Sequence, residues 1–226
     1  MFGYRLRFTK EQNLKYLSHL ELMRTMERAL RRGKLPLAYS EGFHPHPLIS
    51  FGPALAVGIS SNDEYFDLEL TQDEESEHIK FSLNHNLPAG LRILAVAKIR
   101  YHVKPLNAII NRAAYIIRLN VNPEDQAQLI QWLTEILQTT EFISKRTTKE
   151  GQKSVNIRPW LHNLTTEVIK AEILEIHLIG EIGSGGNLRP EDIINNIPIP
   201  IEVLNITRTA LWHEENSVNL KPLDYC

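Results

Sequence analysis

The sequence predicts an α+β protein built of two tandem ferredoxin-like domains, each a strand-helix-strand-strand-helix-strand motif with an antiparallel sheet. Three observations carry that expectation. The chain has 226 residues, more than the commonest single domain. Segments of two-residue apolar alternation are separated by segments of helical spacing with recognisable caps. The six-element order is read once in residues 1–105 and again in 115–213, which leaves 214–226 as a tail.

Taken in order, Tyr4 to Phe8 alternates with period two, so a strand is expected with Leu6 and Phe8 inward and Arg5 and Arg7 outward. Ser18 and Glu21 have capping-box spacing, and a helix is expected from there to about Arg32, stopped by Gly33 with Pro36 beyond. Its buried stripe is read as Leu20, Met23, Met26 or Glu27, and Leu30, with Arg24, Arg28, Arg31 and Arg32 sharing the exposed face. Residues 40–47, with two prolines and a glycine, admit neither helix nor a regular strand before Leu48 to Phe51 resumes. A strand or hairpin over 54–70 ends in half-buried alternation from Tyr65 to Leu70. A helix over Glu74 to Leu87, with Asp73 as a cap, ends at Pro88 to Gly90, and Leu91 to Tyr101 returns as a strand.

The second half follows a linker over Leu106 to Ala114. Tyr115 to Val121 reads as a strand, and Asn122 with Pro123 opens a helix to about Gln138. Further strands are expected near 141–148, 153–157 and 167–179, interrupted by Arg158 to Thr166. A short helix starts at Pro190, and a last strand covers Glu202 to Leu211.

Hydrophobic residues at 42% and charged residues at 23% fit a folded protein. No apolar run approaches the roughly 18 residues that cross a bilayer, and Met1 to Lys10 alternates basic with apolar residues instead of forming a signal-peptide core. A cytoplasmic protein without a membrane partner is expected. The single cysteine, Cys226, excludes an internal disulfide and a multi-cysteine iron-sulfur or metal site within the chain. The net charge of −2 is unevenly spread. Residues 1–50 hold nine Lys/Arg against four Glu, while residues 63–77 hold eight acidic groups and no basic one. Such asymmetry attracts a polyanion to one face, or is simply two solvated surfaces.

Chemistry is sought in four places. The segment Tyr39 to Ser50 holds Phe43, His44 and His46 between prolines, with Gly42 allowing a bend; its histidines suit proton transfer, phosphate contact or plain loop structure. Two histidines alone are too few for a zinc site, so no metal and no cofactor are expected. His19, beside the helix cap, is a second acid-base candidate. The loop around Gly183, Ser184, Gly185 and Gly186, leading through Arg189 to Pro190, can bring backbone N–H groups to an anion or serve as a flexible connection. It lacks the Gly-Lys-Ser/Thr ending of a P-loop, so nucleotide hydrolysis has no support. Arg158 and Trp160 are close enough to stack on a base or to plug an interface.

With those residues in view, the chain resembles the radical S-adenosylmethionine-linked protein family of bacteria. The resemblance spans nearly the whole chain. It is carried by Tyr4 to Phe8, Tyr16 to Arg24, Glu27 to Arg31, and above all Tyr39 to Phe51, continued by Glu64 to Leu70, Ile157 to Pro159 and Gly183 to Pro190. The resemblance implies a neighbouring or fused radical S-adenosylmethionine enzyme with a cobalamin-binding-type domain, and an RNA or ribosome setting. The chain departs from the pattern at Asn156, where the family has Asp, and at His44, where Asn is common, which leaves His46 as the better candidate for chemistry.

Three functions stay open at this point. The first is a non-catalytic accessory subunit that binds RNA or presents a substrate to the radical enzyme. The second is a metal-independent RNA-processing enzyme using His19 and His46, by fold analogy. The third is a protein-protein adaptor without nucleic acid.

Overall fold

The computed structural model describes residues 1–100, 103–148 and 151–226. The chain is α+β and dominated by antiparallel pairing, and it divides into two compact units, Met1–Ile110 with Ala210–Cys226, and Asn111–Thr209.

The first unit contains β1 (Phe2–Lys10), α1 (His19–Arg32), β2 (Ile49–Phe51), β3 (Ser60–Leu70), α2 (Ser76–Asn86), β4 (Leu91–Ile99) and α3 (Leu106–Ile109). Its strand order is β4-β1-β3-β2 and each of these neighbours pairs antiparallel. The end of the fourth strand expected at Tyr101 lies outside the described residues. One apolar core, from Tyr4, Leu6 and Phe8 through Met26, Leu30, Phe66 and Leu68 to Ile79 and Ile93, holds the helices to one face of the sheet. Burying such side chains stabilises by about 1.5–3 kcal/mol each.

Local chemistry explains the helices. Ser18 and Glu21 form the expected capping box: the Ser18 N–H donates to Glu21 Oε2 at 2.8 Å, and the Glu21 N–H donates to Ser18 Oγ at 3.3 Å. The buried stripe is Leu22, Met26, Ala29 and Leu30. Leu20, expected inside, is 53% exposed, because the stripe pivots on Met26 and spacings of four and three from it reach Leu22, Ala29 and Leu30 instead. The α2 cap is Glu75. Asp73 instead takes Lys98 Nζ and the Tyr4 hydroxyl, the latter at 2.7 Å. Gly90 needs its positive φ of 94°, and a Cβ there would meet the Glu11 carbonyl at 2.7 Å.

The outward reading of Arg5 and Arg7 is corrected. Arg5 is fully buried and grips Asp67 with two bonds, Nε to Oδ1 at 2.7 Å and Nη2 to Oδ2 at 2.8 Å. Arg7 pairs with Asp63, which also accepts from the Tyr65 hydroxyl and the Leu211 N–H, both at 2.7 Å. The acidic run is therefore partly neutralised within the fold. The half-buried alternation expected for Tyr65 to Leu70 holds over Phe66 to Leu70, with Phe66, Leu68 and Leu70 buried, Asp67 partly exposed and Glu69 exposed; only Tyr65, buried beside Asp63, departs from it. What covers the second face is chain the sequence reading had set aside. The expected linker over 106–114 is instead α3, with Leu106 and Ile109 buried, followed directly by a strand. The expected tail also returns to this unit, where the Pro222 carbonyl accepts from Arg5 Nη1 at 3.0 Å.

The second unit holds β5 (Arg112–Asn120), α4 (Pro123–Gln138), β6 (Ile143–Thr148), β7 (Gly151–Asn156), β8 (Leu161–Lys170), β9 (Ile173–Glu181), α5 (Pro190–Ile194) and β10 (Glu202–Glu215), whose residues from Ala210 onward belong to the first unit. In the first unit, β11 (Val218–Leu220) pairs with the His213–Glu215 end of β10. In the second the order is β10-β5-β9-β8, with β6 and β7 forming a separate hairpin. The expected interruption at Arg158 to Thr166 is a 3-10 turn over Arg158–Trp160 followed by β8 itself, and the strand expected over 167–179 is two, turning at Ala171 and Glu172. The α4 cap stands as read, with the Glu124 N–H donating to Asn122 Oδ1 at 3.3 Å and Pro123 in the first turn.

Candidate functional site

The α1 arginines form a concentrated row of positive charge in the first unit. Arg24, Arg28, Arg31 and Arg32 are all exposed, and among the described residues none of the four is ion-paired with a carboxylate. Two are held by main chain: Arg28 Nε donates to the Arg24 carbonyl at 3.1 Å, and Arg32 Nη2 donates to the Asn86 carbonyl at 2.6 Å. The second contact places a cation on the C-terminal end of α2, where the helix dipole favours it. Arg28 and Arg32 line an open depression of about 460 Å³ together with Thr25, His85, Asn86 and Pro88. His85 stacks on Phe81 one turn earlier, with centroids 6.2 Å apart and planes 14° apart. The sequence reading missed Phe81 and His85, although their spacing of four on a helix was visible.

The His-Pro loop is closed at its base. The Ser40 N–H donates to the His46 carbonyl at 2.8 Å, the His46 N–H donates to Ser40 Oγ at 3.0 Å, and Tyr39 bridges to Pro47. Gly42 supplies the turn with φ of 122°. Phe43, His44 and His46 project from that base, and Phe43 is wholly exposed. His19 sits elsewhere in the packing, edge-on to Phe51 with centroids 5.6 Å apart, in a narrow cavity lined by Lys10, Glu64 and Tyr65. Among the described residues no hydrogen bond joins His19 to His46; His19 is in ring contact with Phe51, whereas His46 lies in the exposed loop. Buried beside Asp63, the Tyr65 hydroxyl is pushed well above the ordinary phenol range by loss of solvent, which keeps it a proton donor.

In the second unit the Gly-rich loop and Trp160 do come together. A Cβ at Gly186 would run into the Trp160 ring, so the indole packs on bare backbone there. Arg146 lies over the other part of this cluster, 5.3 Å from the Trp160 ring centroid. Its Nε donates to Asp192 Oδ1 at 2.8 Å, and Ser144 Oγ donates to the same oxygen at 2.9 Å. The start of α5 already has its anion, because the Arg189 N–H donates to Asp192 Oδ2 at 2.9 Å. Glu181 lies against Gly185. Gly183, Ser184 and Gly185 remain exposed, and the carboxylates of Glu181 and Asp192 lie beside Gly185 and the Arg189 N–H. Arg158 is also engaged: Nε, Nη1 and Nη2 donate to the carbonyls of Thr139, Leu161 and Leu137 at 2.8–3.0 Å, closing the end of α4. Arg158 thus also caps the end of α4 through its N–H edges.

Asn156 has a structural task as well. Its Oδ1 accepts from the N–H groups of Phe142 and Arg158 at 3.0 and 3.1 Å, which a carboxylate would do equally. That explains how Asn stands where Asp was expected. Glu167, Glu175 and His177 place potential metal-ligating atoms within 4.8 Å of one another, with Arg118 Nε donating to Glu175 Oε1 at 2.8 Å. The guanidinium already balances one of the two carboxylates.

Residues 3–190 match the sequence profile of the family described as "Uncharacterized protein conserved in bacteria (DUF2344)". The chain belongs to this family. The DUF2344 match runs through β1, the α1 arginines, the His-Pro loop and the Gly-rich loop, and ends at the first residue of α5. A search of curated proteins finds no match. Among solved structures, the DUF2344 chain resembles a chain of the "Crystal Structure of a Cbf5-Nop10-Gar1 Complex" with a TM-score of 0.50 and 11% identity, over 94% of its own length. It spans about half of that chain, 50%. At this identity the likeness concerns the fold. Among the described residues no helix is long and apolar enough to cross a membrane.

Proposed function

We propose that this protein is an accessory subunit that binds RNA through α1 and presents it to a radical S-adenosylmethionine enzyme, on a scaffold of two tandem ferredoxin-like units. The observation that carries the reading is the row Arg24, Arg28, Arg31 and Arg32, exposed and in no ion pair with a carboxylate among the described residues, in a unit whose two β1 arginines are both ion-paired. Unpaired guanidiniums on a rigid helix are what a phosphate backbone requires, and a subunit of this kind needs no active site of its own. The resemblance described above supports the enzyme partner and the RNA setting. The orders β4-β1-β3-β2 and β10-β5-β9-β8 support the scaffold, the second interrupted by the β6–β7 hairpin.

The test is an RNA-binding isotherm followed against salt. Affinity should fall steeply as salt rises, and Arg24→Ala with Arg28→Ala should lower the logarithmic salt slope by about two. A flat salt response, or a slope unchanged in the double variant, ends the reading. A second reading, a protein-protein adaptor, is favoured by one observation, the wholly exposed Phe43 at the tip of a closed loop. Under it, Phe43→Ala abolishes co-purification of the enzyme from nuclease-treated lysate while RNA binding is nil.

A further inference from the structure

We infer that the RNA held by this surface is single-stranded, with a base stacked on the Phe81–His85 pair of α2 while the α1 guanidiniums hold its phosphates. The inference deepens the RNA-binding reading and rests on it. Phe81 is 71% exposed on a helix whose inward positions, Ile79 and Leu83, are completely buried, so the ring is not needed for the core. One turn on, the exposed His85 stacks a nearly parallel ring on it at 6.2 Å, so the pair presents aromatic faces to water.

That platform adjoins the basic row. His85 lines the same depression as Arg28 and Arg32, and the bond from Arg32 to the Asn86 carbonyl ties the end of α1 to the end of α2. Cations and aromatic faces therefore occur together on one surface of one unit. A single strand offers phosphates and unstacked base faces at once, whereas a duplex encloses its base faces and offers backbone and groove edges. Arginines alone would fit either nucleic acid; the exposed ring pair selects the first. Because every base has a π-face, such a platform tolerates sequence variation, and the ligand class is single-stranded RNA without a fixed sequence.

The experiment compares fluorescently labelled single-stranded RNA with a blunt RNA duplex of the same length, on the full chain. The single strand should bind at least about tenfold more tightly, Phe81→Ala should remove about tenfold of that affinity, and Phe81→Tyr should keep it. In Phe81→Trp the added indole fluorescence should be quenched by the single strand. Equal affinity for strand and duplex, with Phe81→Ala indifferent, overturns the stacking inference and leaves the RNA reading standing. Binding of neither overturns both. Because Phe81 lies outside the core, the alanine variant should melt with the native protein, and a matched melt assigns any loss of affinity to the missing ring.

Discussion

β1 and β5 are the corresponding strands of the two units, each flanked by neighbours on both sides and each carrying two arginines. They are buried differently. β5 alternates cleanly, with Ala113, Tyr115, Ile117 and Leu119 inside and Arg118 exposed. β1 is buried on both faces over Tyr4 to Leu6, and Arg5 has no exposure at all. The strands differ less in their own sequence than in what is laid over them. In the first unit α3 and residues from Ala210 onward cover the face opposite the helices, while the corresponding face of β8 and β9 carries Glu167, exposed, and His177, partly exposed. Charge therefore has two meanings in one chain, and a count of arginines cannot separate them.

The sharpest break in that comparison is Asp67→Ala. It leaves Arg5 charged and without its bidentate partner in a dry site, and should cost about 3–5 kcal/mol in a urea melt. Loss of a much smaller amount would mean that water reaches β1. Removing residues 222–226 takes away the Pro222 carbonyl from Arg5 Nη1 and should cost about 1–3 kcal/mol. Ser18→Ala should cost about 1 kcal/mol through the α1 cap. The Ser18 hydroxyl and N–H hold the Glu21 carboxyl below the usual range. A depressed carboxylate stabilises above its unfolded pKa and stops doing so as pH falls through the folded one, so the Ser18→Ala deficit should shrink in acid melts below the carboxylate range. At the small end, Glu175→Ala removes the partner of Arg118, whose side chain is 52% exposed, and should cost less than about 1 kcal/mol. If Glu175→Ala matched Asp67→Ala, the contrast between β1 and β5 would fail.

At high pH the first unit has a further signature. Burial is the main reason that the Tyr4 phenol is pushed up to about 12, with Asp73 adding to the effect. A raised pKa means that the contribution is complete below the unfolded value near 10 and is lost as pH rises toward 12. Tyr4→Phe should flatten the alkaline limb of the stability profile.

Local features were legible. The capping box at Ser18 and Glu21, the Asn122 and Pro123 start of α4 and the exposed arginine row depend on residues a few positions apart, and each stands where spacing placed it. What depends on distant chain was not. Strand parity shows which residues share a face, but not that Pro222 will reach Arg5 across 217 positions. The Gly-rich loop invited an anion because the sequence conceals that Asp192, drawn in by Arg146 from 46 residues away, supplies one from within. The capping role of Arg158 was hidden similarly, since the carbonyls it serves belong partly to a helix end 21 residues earlier. Phe81 was overlooked because a lone exposed ring is ordinary until His85 and Arg28 are found beside it.

The return of residues 210–226 to the first unit has a bearing on biosynthesis. Residues 111–209 are translated in between, which takes roughly 5–20 s at about 5–20 residues per second. Throughout that interval β1 and β3 have emerged while the segment that completes their second face has not. The half that leaves the ribosome first thus cannot complete its second face until residues 210–226 follow.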